Sequence, residues 1–182
     1  MNTRDYLEIG RMVMTDYMPR NSESQMLKCL VRFMHREMPY VKVLFTWADG
    51  MLGKAGYVYQ ASGFHYLGYS NTDIYLTEDG TKIHPRQTRR LFRASDTDKR
   101  ITVRPTFEQM QEIGMKHYKG RQFKYFRYMC GKVEAKRLDK ICLIDYRNLE
   151  NPKEKDLAWK VCVGKGSYID CGMPPYKTDT RF

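Results

Sequence analysis

Apolar side chains change period several times along the chain, and each change marks an element. Tyr6 to Met14 alternates partially and reads as a strand, which Pro19 ends. Ser22 and Gln25 fit a capping box, in which side chains take up unpaired N–H groups at a helix start. Met26, Leu27, Leu30, Val31, Phe33 and Met34 then recur at helical spacing until Pro39. Val41 to Trp47 follows as a second strand. A strand–helix–strand unit implies a right-handed crossover with its two strands parallel.

Asp49 to Gly56 is a glycine-rich loop, and a short helix is predicted from Tyr57 to Ser62, closed by Gly63. Phe64 to Tyr69 and Asp73 to Leu76 read as β structure, and Glu78-Asp79-Gly80 as a tight turn before Lys82 and Ile83. His84 to Arg104 is polar, basic and weakly periodic, and is expected to be a long loop. Thr106 and Gln109 form a second capping-box pattern, with Phe107, Met110 and Ile113 as one stripe and Gly114 as the stop. The aromatics of Arg121 to Met129 predict a strand, and Lys132 to Leu138 a short basic helix. The expected division is a main domain over residues 1–145 and a tail over 146–182. The tail should lack a core of its own, and either wrap the domain or stay partly disordered. No internal repeat stands out.

Charge sharpens this picture. The 182 residues carry a formal net charge of +11, and the whole excess falls between residues 82 and 147. Such a local surplus suggests a polyanion, most often nucleic acid, although a merely solvated face gives the same count. Arg86, Arg89, Arg90 and Arg93 cluster in the polar stretch, and Lys119, Arg121, Lys124 and Arg127 interleave with aromatics. The cations are assigned to phosphate contact and most of the aromatics to core packing. The five cysteines are odd in number and no pair has CxxC spacing. Cys29, inside the apolar helical pattern, is expected to be a buried thiol. No basic-then-apolar leader and no membrane-length apolar run is evident, so a reducing cytoplasm is the expected compartment.

Several blocks resemble a known family: Pro19-Arg-Asn-Ser-Glu-Ser24, Thr46-Trp-Ala-Asp49, Gly56-Tyr-Val-Tyr-Gln-Ala61, then Phe64, Tyr66 and Gly68, with Arg121-Gln-Phe-Lys-Tyr125 downstream. In that order they are similar to the Mom proteins of bacteriophage, acetyltransferase-like proteins that modify adenine in DNA, over roughly residues 6 to 140. The resemblance implies an α/β, GNAT-like mixed sheet corresponding to the second half of that acyltransferase fold, with a basic C-terminal extension. It implies further that the earlier strands are supplied by a partner chain or by self-association, since an uncovered sheet edge is normally protected. Family members often carry a histidine in the glycine-rich loop, where this chain has Gly53-Lys54.

The resemblance also assigns roles. The helix start, with Arg20, Asn21, Ser22 and Ser24, corresponds to the place that takes the pyrophosphate of acetyl-CoA or a related donor, because helix N-termini attract phosphate. The same residues can simply cap the helix, and Glu23 brings an opposing charge. Asp49, at a strand's carboxyl end, could orient an amine, act as a base, or share a metal with His65; it could equally start an Asx-type turn. No spaced cluster of metal-binding types supports a metal. Tyr59 could give a proton to a leaving thiolate and Gln60 could bind a base edge or the cofactor, or the tyrosines could pack. The leading expectation is a transferase acting on the N6 amine of adenine, with Asp49, Tyr59 and Ser24 as its catalytic residues. The alternatives are a noncatalytic nucleic-acid-binding subunit, and a GNAT-type enzyme acting on a protein or small amine.

Overall fold

The computed structural model describes residues 2–10, 12–15, 17–91, 104–141 and 145–177. Among them, seven strands form a mixed sheet: β1 (Tyr6–Ile9), β2 (Val43–Asp49), β3 (His65–Leu76), β4 (Lys82–Ile83), β5 (Lys116–Tyr128), β6 (Trp159–Gly164) and β7 (Ser167–Cys171). The helices are α1 (Ser22–Glu37), α2 (Tyr57–Ala61), α3 (Thr88–Leu91), α4 (Phe107–Glu112) and α5 (Lys132–Asp139). Strand order is β1-β2-β5-β3-β4, with β6 beside β5 and β7 beside β6. β1 and β2 run parallel around α1, as the strand–helix–strand pattern requires, whereas β2–β5, β3–β4, β5–β6 and β6–β7 are antiparallel. The chain forms two compact units: Met1–Asp49, Lys54–Ser70 and Gln122–Asp156 make the first, and Gly50–Gly53, Asn71–Arg121 and Leu157–Phe182 the second.

In the first unit, strand alternation divides the sheet into two faces. Leu44, Thr46 and Ala48 of β2 are buried and lie opposite Arg127, Tyr125 and Phe123 of β5. α2 covers this face. The Tyr125 hydroxyl donates to the Ala55 carbonyl at 2.6 Å and accepts from the Gln60 amide at 2.9 Å. Its ring blocks the space where a side chain on Gly56 would start, and Gly56 has φ 91°. Both facts require glycine at the entry to α2.

The second unit has its own apolar clusters. Met51, Ile74, Leu76 and Tyr118 are packed by Trp159, Val161, Cys171 and Tyr176. Tyr75, Met110 and Met115 are packed by Ile83, Phe107 and Cys162. The Trp159 indole and the Tyr176 hydroxyl both donate to the Met51 carbonyl, at 3.2 and 2.9 Å. The Thr106/Gln109 capping box forms as expected, and Gly114 ends that helix at φ 63°.

Several expectations need correction. The first strand stops at Ile9, where its pairing with β2 ends, instead of running to Met14. Ser22 does not cap α1: Asn21 is the N-cap at φ 69°, and the Ser22 hydroxyl donates to the Pro19 carbonyl at 2.6 Å. Phe64 to Leu76 forms one strand from His65, not two, with Gly68 at φ 85° absorbed within it. The stretch expected to be a loop contains α3, anchored by the fully buried Thr88, whose hydroxyl donates to the Pro85 carbonyl. β5 begins five residues before Arg121, and the tail contains the β6–β7 hairpin. Cys29 is exposed, because α1 buries the stripe through Leu27 and Met34 instead.

Candidate functional site: a cationic groove beside the start of α1

α1 begins at Ser22, with Asn21 as its N-cap, so its first-turn N–H groups have no partner within the helix. Beside this turn lies an open groove of ≈ 500 Å³, and its lining includes Asn21, Ser24, Lys28, Arg32, Ser62 and Arg127. The lining carries three cations and no carboxylate. Arg127 enters from the helix-covered face of β5, and its guanidinium donates to the Ser62 carbonyl just past α2. The buried Ser62 hydroxyl has no hydrogen-bond partner among the described residues. Together the three cations and the start of α1 favour an anion in the groove, while the Ser62 hydroxyl is closed off from solvent.

Of the residues singled out from sequence, the structure brings Asn21, Ser24 and Arg127 together here; Arg127 stood among the nucleic-acid contacts and belongs to the groove. Arg20 is exposed in the preceding turn, and Ser22 is buried; neither lines the groove. Asp49 ends β2, half-buried, with Gln122 as its cross-strand partner, and its carbonyl accepts from the Lys54 N–H at 3.1 Å. Tyr59 is buried, its ring 5.6 Å from those of Phe64 and Tyr125. The Gln60 amide donates to Tyr125 and, at 3.0 Å, to the Pro152 carbonyl. Asp49 and Tyr59 do not line the groove.

The basic residues are divided between the two units. Arg86 is exposed, and Lys119 is exposed with its ammonium 3.7 Å from the centre of the Tyr168 ring. Arg121 and Lys124 are half-buried, with Lys124 Nζ 5.6 Å from the centre of the Trp47 ring. Arg89 and Arg90 belong to α3, and Arg93 lies outside the described residues.

Two polar networks escaped the sequence reading. In the first unit, Asp139 accepts from the hydroxyls of Tyr128 and Tyr146, at 2.7 and 2.9 Å, and from Arg147. The Tyr128 hydrogen bond leads in holding its carboxyl below the usual range. In the second unit, the buried His117 bonds to Asp73 through Nε2 and to the Tyr168 hydroxyl through Nδ1, both at 2.9 Å. Burial lowers its pKa, opposed by Asp73. Sequence separations of 44 and 51 residues leave no local signal for this chain of bonds. Among the described residues, no group of three or more His, Cys, Asp or Glu is placed to hold a metal ion, and no helix is long and apolar enough to cross a membrane.

A parallel β–α–β unit with a cation-lined groove now stands beside the sequence blocks, and residues 1–148 match the Mom protein family: the chain belongs to it. Over 83 residues it is 37% identical to the methylcarbamoylase Mom of Escherichia phage Mu, a stretch covering 46% of this chain. The match spans 34% of that relative's length.

Proposed function

We propose that the protein is a DNA-modifying transferase, or one chain of such an enzyme, acting on the N6 amine of adenine. Its membership of the Mom family carries this reading, and the phage Mu relative is by name a methylcarbamoylase. The order β1, α1, β2, glycine-containing loop, α2, β3 supports a GNAT-like arrangement corresponding to the second half of that fold.

The groove suits acetyl-CoA or a related phosphate-bearing donor: it has three cations and no opposing carboxylate. Asn21, Ser24, Lys28, Arg32 and Arg127 would hold the anionic part. Such a donor supplies the activated group when bound. Asp49 would orient the attacking amine or take its proton. Tyr59, held between Phe64 and Tyr125, would position α2. DNA would be drawn in by the basic segment. Tyr6, Leu7 and Glu8 of β1 are exposed, and β1 pairs only with β2 among the described residues, which supports a partner chain or second copy along this edge.

A noncatalytic nucleic-acid-binding subunit is the second reading, favoured by the burial of Tyr59 and by the internal hydrogen bonds of Gln60. Mass spectrometry of nucleosides from the DNA of cells expressing the protein with its genomic neighbour separates the two. A modified deoxyadenosine that disappears in Asp49→Ala is expected; unaltered DNA despite tight binding replaces the transferase with the binding subunit.

A further inference from the structure

Helix α5 holds two carboxylates, and both are turned towards the protein. Glu134 meets Lys42 at 3.3 Å and Arg137 at 3.7 Å. Asp139 accepts from Tyr128, Tyr146 and Arg147. Ala135 and Leu138 are half-buried, as are the two acids. At about 100° per residue these four positions fill one arc of the helix. The opposite arc holds Lys132, Val133, Lys136, Arg137 and Lys140, all exposed. Lys132, Lys136 and Lys140 recur at every fourth position, so they form one row, with steps of about 6 Å along the axis. None of the three ammonium groups is paired among the described residues.

Other cations of the basic segment are engaged inside the protein. Lys119 and Lys124 lie against the Tyr168 and Trp47 rings, and Arg127 is held by the Ser62 carbonyl. The α5 row differs. Like charges one helical turn apart sit within a Debye length and repel. The two acids of the helix are already paired and do not relieve that repulsion; a row of phosphates does, with release of counterions. An anionic bilayer fits less well. A membrane-surface helix presents a continuous apolar face beside its cations. Here Ala135 and Leu138 face the protein, and the outer arc of α5 offers only Val133 as an apolar residue. We infer that the Lys132–Lys136–Lys140 row is a docking surface for the sugar-phosphate backbone of duplex DNA, gripping it without reading its sequence. This rests on the DNA-directed reading above and gives the duplex a place on the first unit.

Fluorescence anisotropy of the full chain with a labelled duplex, repeated across salt concentrations, tests this. Lys132→Gln, Lys136→Gln and Lys140→Gln combined should lower the slope of log affinity against log salt by about 0.9 for each phosphate given up, roughly 2 to 3 in all. Lys153→Gln, Lys155→Gln and Lys165→Gln combined remove the same charge from other exposed positions, and should leave the slope within about 0.5 of the wild type. If the α5 triple variant fails to fold by circular dichroism, Lys136→Glu alone should lower the slope by at least about 0.9. Equal losses from the two triple variants overturn the surface, because the charge would then act from no particular place. An unchanged slope in a folded α5 variant overturns it too, as does a wild type that binds no duplex. Binding to phosphatidylserine vesicles that the α5 variant loses, with its DNA slope unchanged, gives the row to a membrane instead. A lowered slope with unmodified cellular DNA supports the surface while removing the transferase. Modified cellular DNA with an unchanged slope removes the surface and leaves the transferase.

Discussion

Arg127 donates to the carbonyl of Ser62, tying β5 to the residue after α2 and bringing a fixed cation to the groove beside α1. Alternation along β5 puts Arg127 on the same face as the buried Tyr125 and Phe123, so its charge is directed into the helix layer.

Replacing Arg127 by Ala should therefore do two things at once. The Ser62 carbonyl loses a charged donor, at a cost of about 1–3 kcal/mol in urea unfolding. Acetyl-CoA affinity, read by calorimetry, should fall at least about ten-fold. Arg127→Lys should recover part of the affinity but less of the stability, because an ammonium lacks the planar fork of a guanidinium.

Tyr125 gives a test at alkaline pH. Burial pushes its phenol up to about 12, against an ordinary value of 10.0. Between these values the unfolded chain loses the proton and the folded chain keeps it, so stability is full below pH 10 and falls as pH rises towards 12. Tyr125→Phe should remove this component of the thermal-melting profile. At neutral pH it should cost about 1–3 kcal/mol, since the Ala55 carbonyl and the Gln60 amide lose their shared partner.

His117 acts at the other end of the scale. Its folded pKa lies below the ordinary value of 6.5, chiefly because it is buried. The neutral ring therefore contributes stability above pH 6.5, and that contribution is lost as pH falls through the lowered value, where the unfolded chain binds the extra proton. Melting temperature should decline on acidification, and His117→Gln should flatten the decline. Tyr168→Phe should destabilise by about 1 kcal/mol at neutral pH by removing the bond to Nδ1.

Duplex DNA affinity should depend steeply on salt. Replacing Arg89, Arg90 and Arg93 together with Ala should reduce the slope of log affinity against log salt by about 0.9 for each phosphate that is no longer neutralised. Identical slopes for variant and wild type would take that segment out of the DNA interface.

Short-range physics was largely legible in the sequence. The parallel β1–α1–β2 unit, the Thr106/Gln109 cap and the glycine stop at Gly63 all follow from local periodicity and backbone preference, and all are present. The capping box at Ser22 was misread because Asn21 adopts the left-handed conformation and becomes the cap, a state that spacing alone does not reveal. The β6–β7 hairpin was missed because its burial comes from Met51, Ile74 and Tyr118, distant in sequence. For the groove, the sequence offered Asn21 and Ser24 through the helix start. Arg127 looked like one more cation in a basic, aromatic strand, and only the position of Ser62 shows where its guanidinium goes.

The chain has two tryptophans, and the two units hold one each: Trp47 in the first and Trp159 in the second. The protein thus carries its own optical reporters, one for each half of its architecture. With Trp159→Phe, indole emission follows the first unit alone; with Trp47→Phe, the second. Superimposable denaturation curves from the two variants would identify a single cooperative block, and displaced midpoints would identify halves that melt independently.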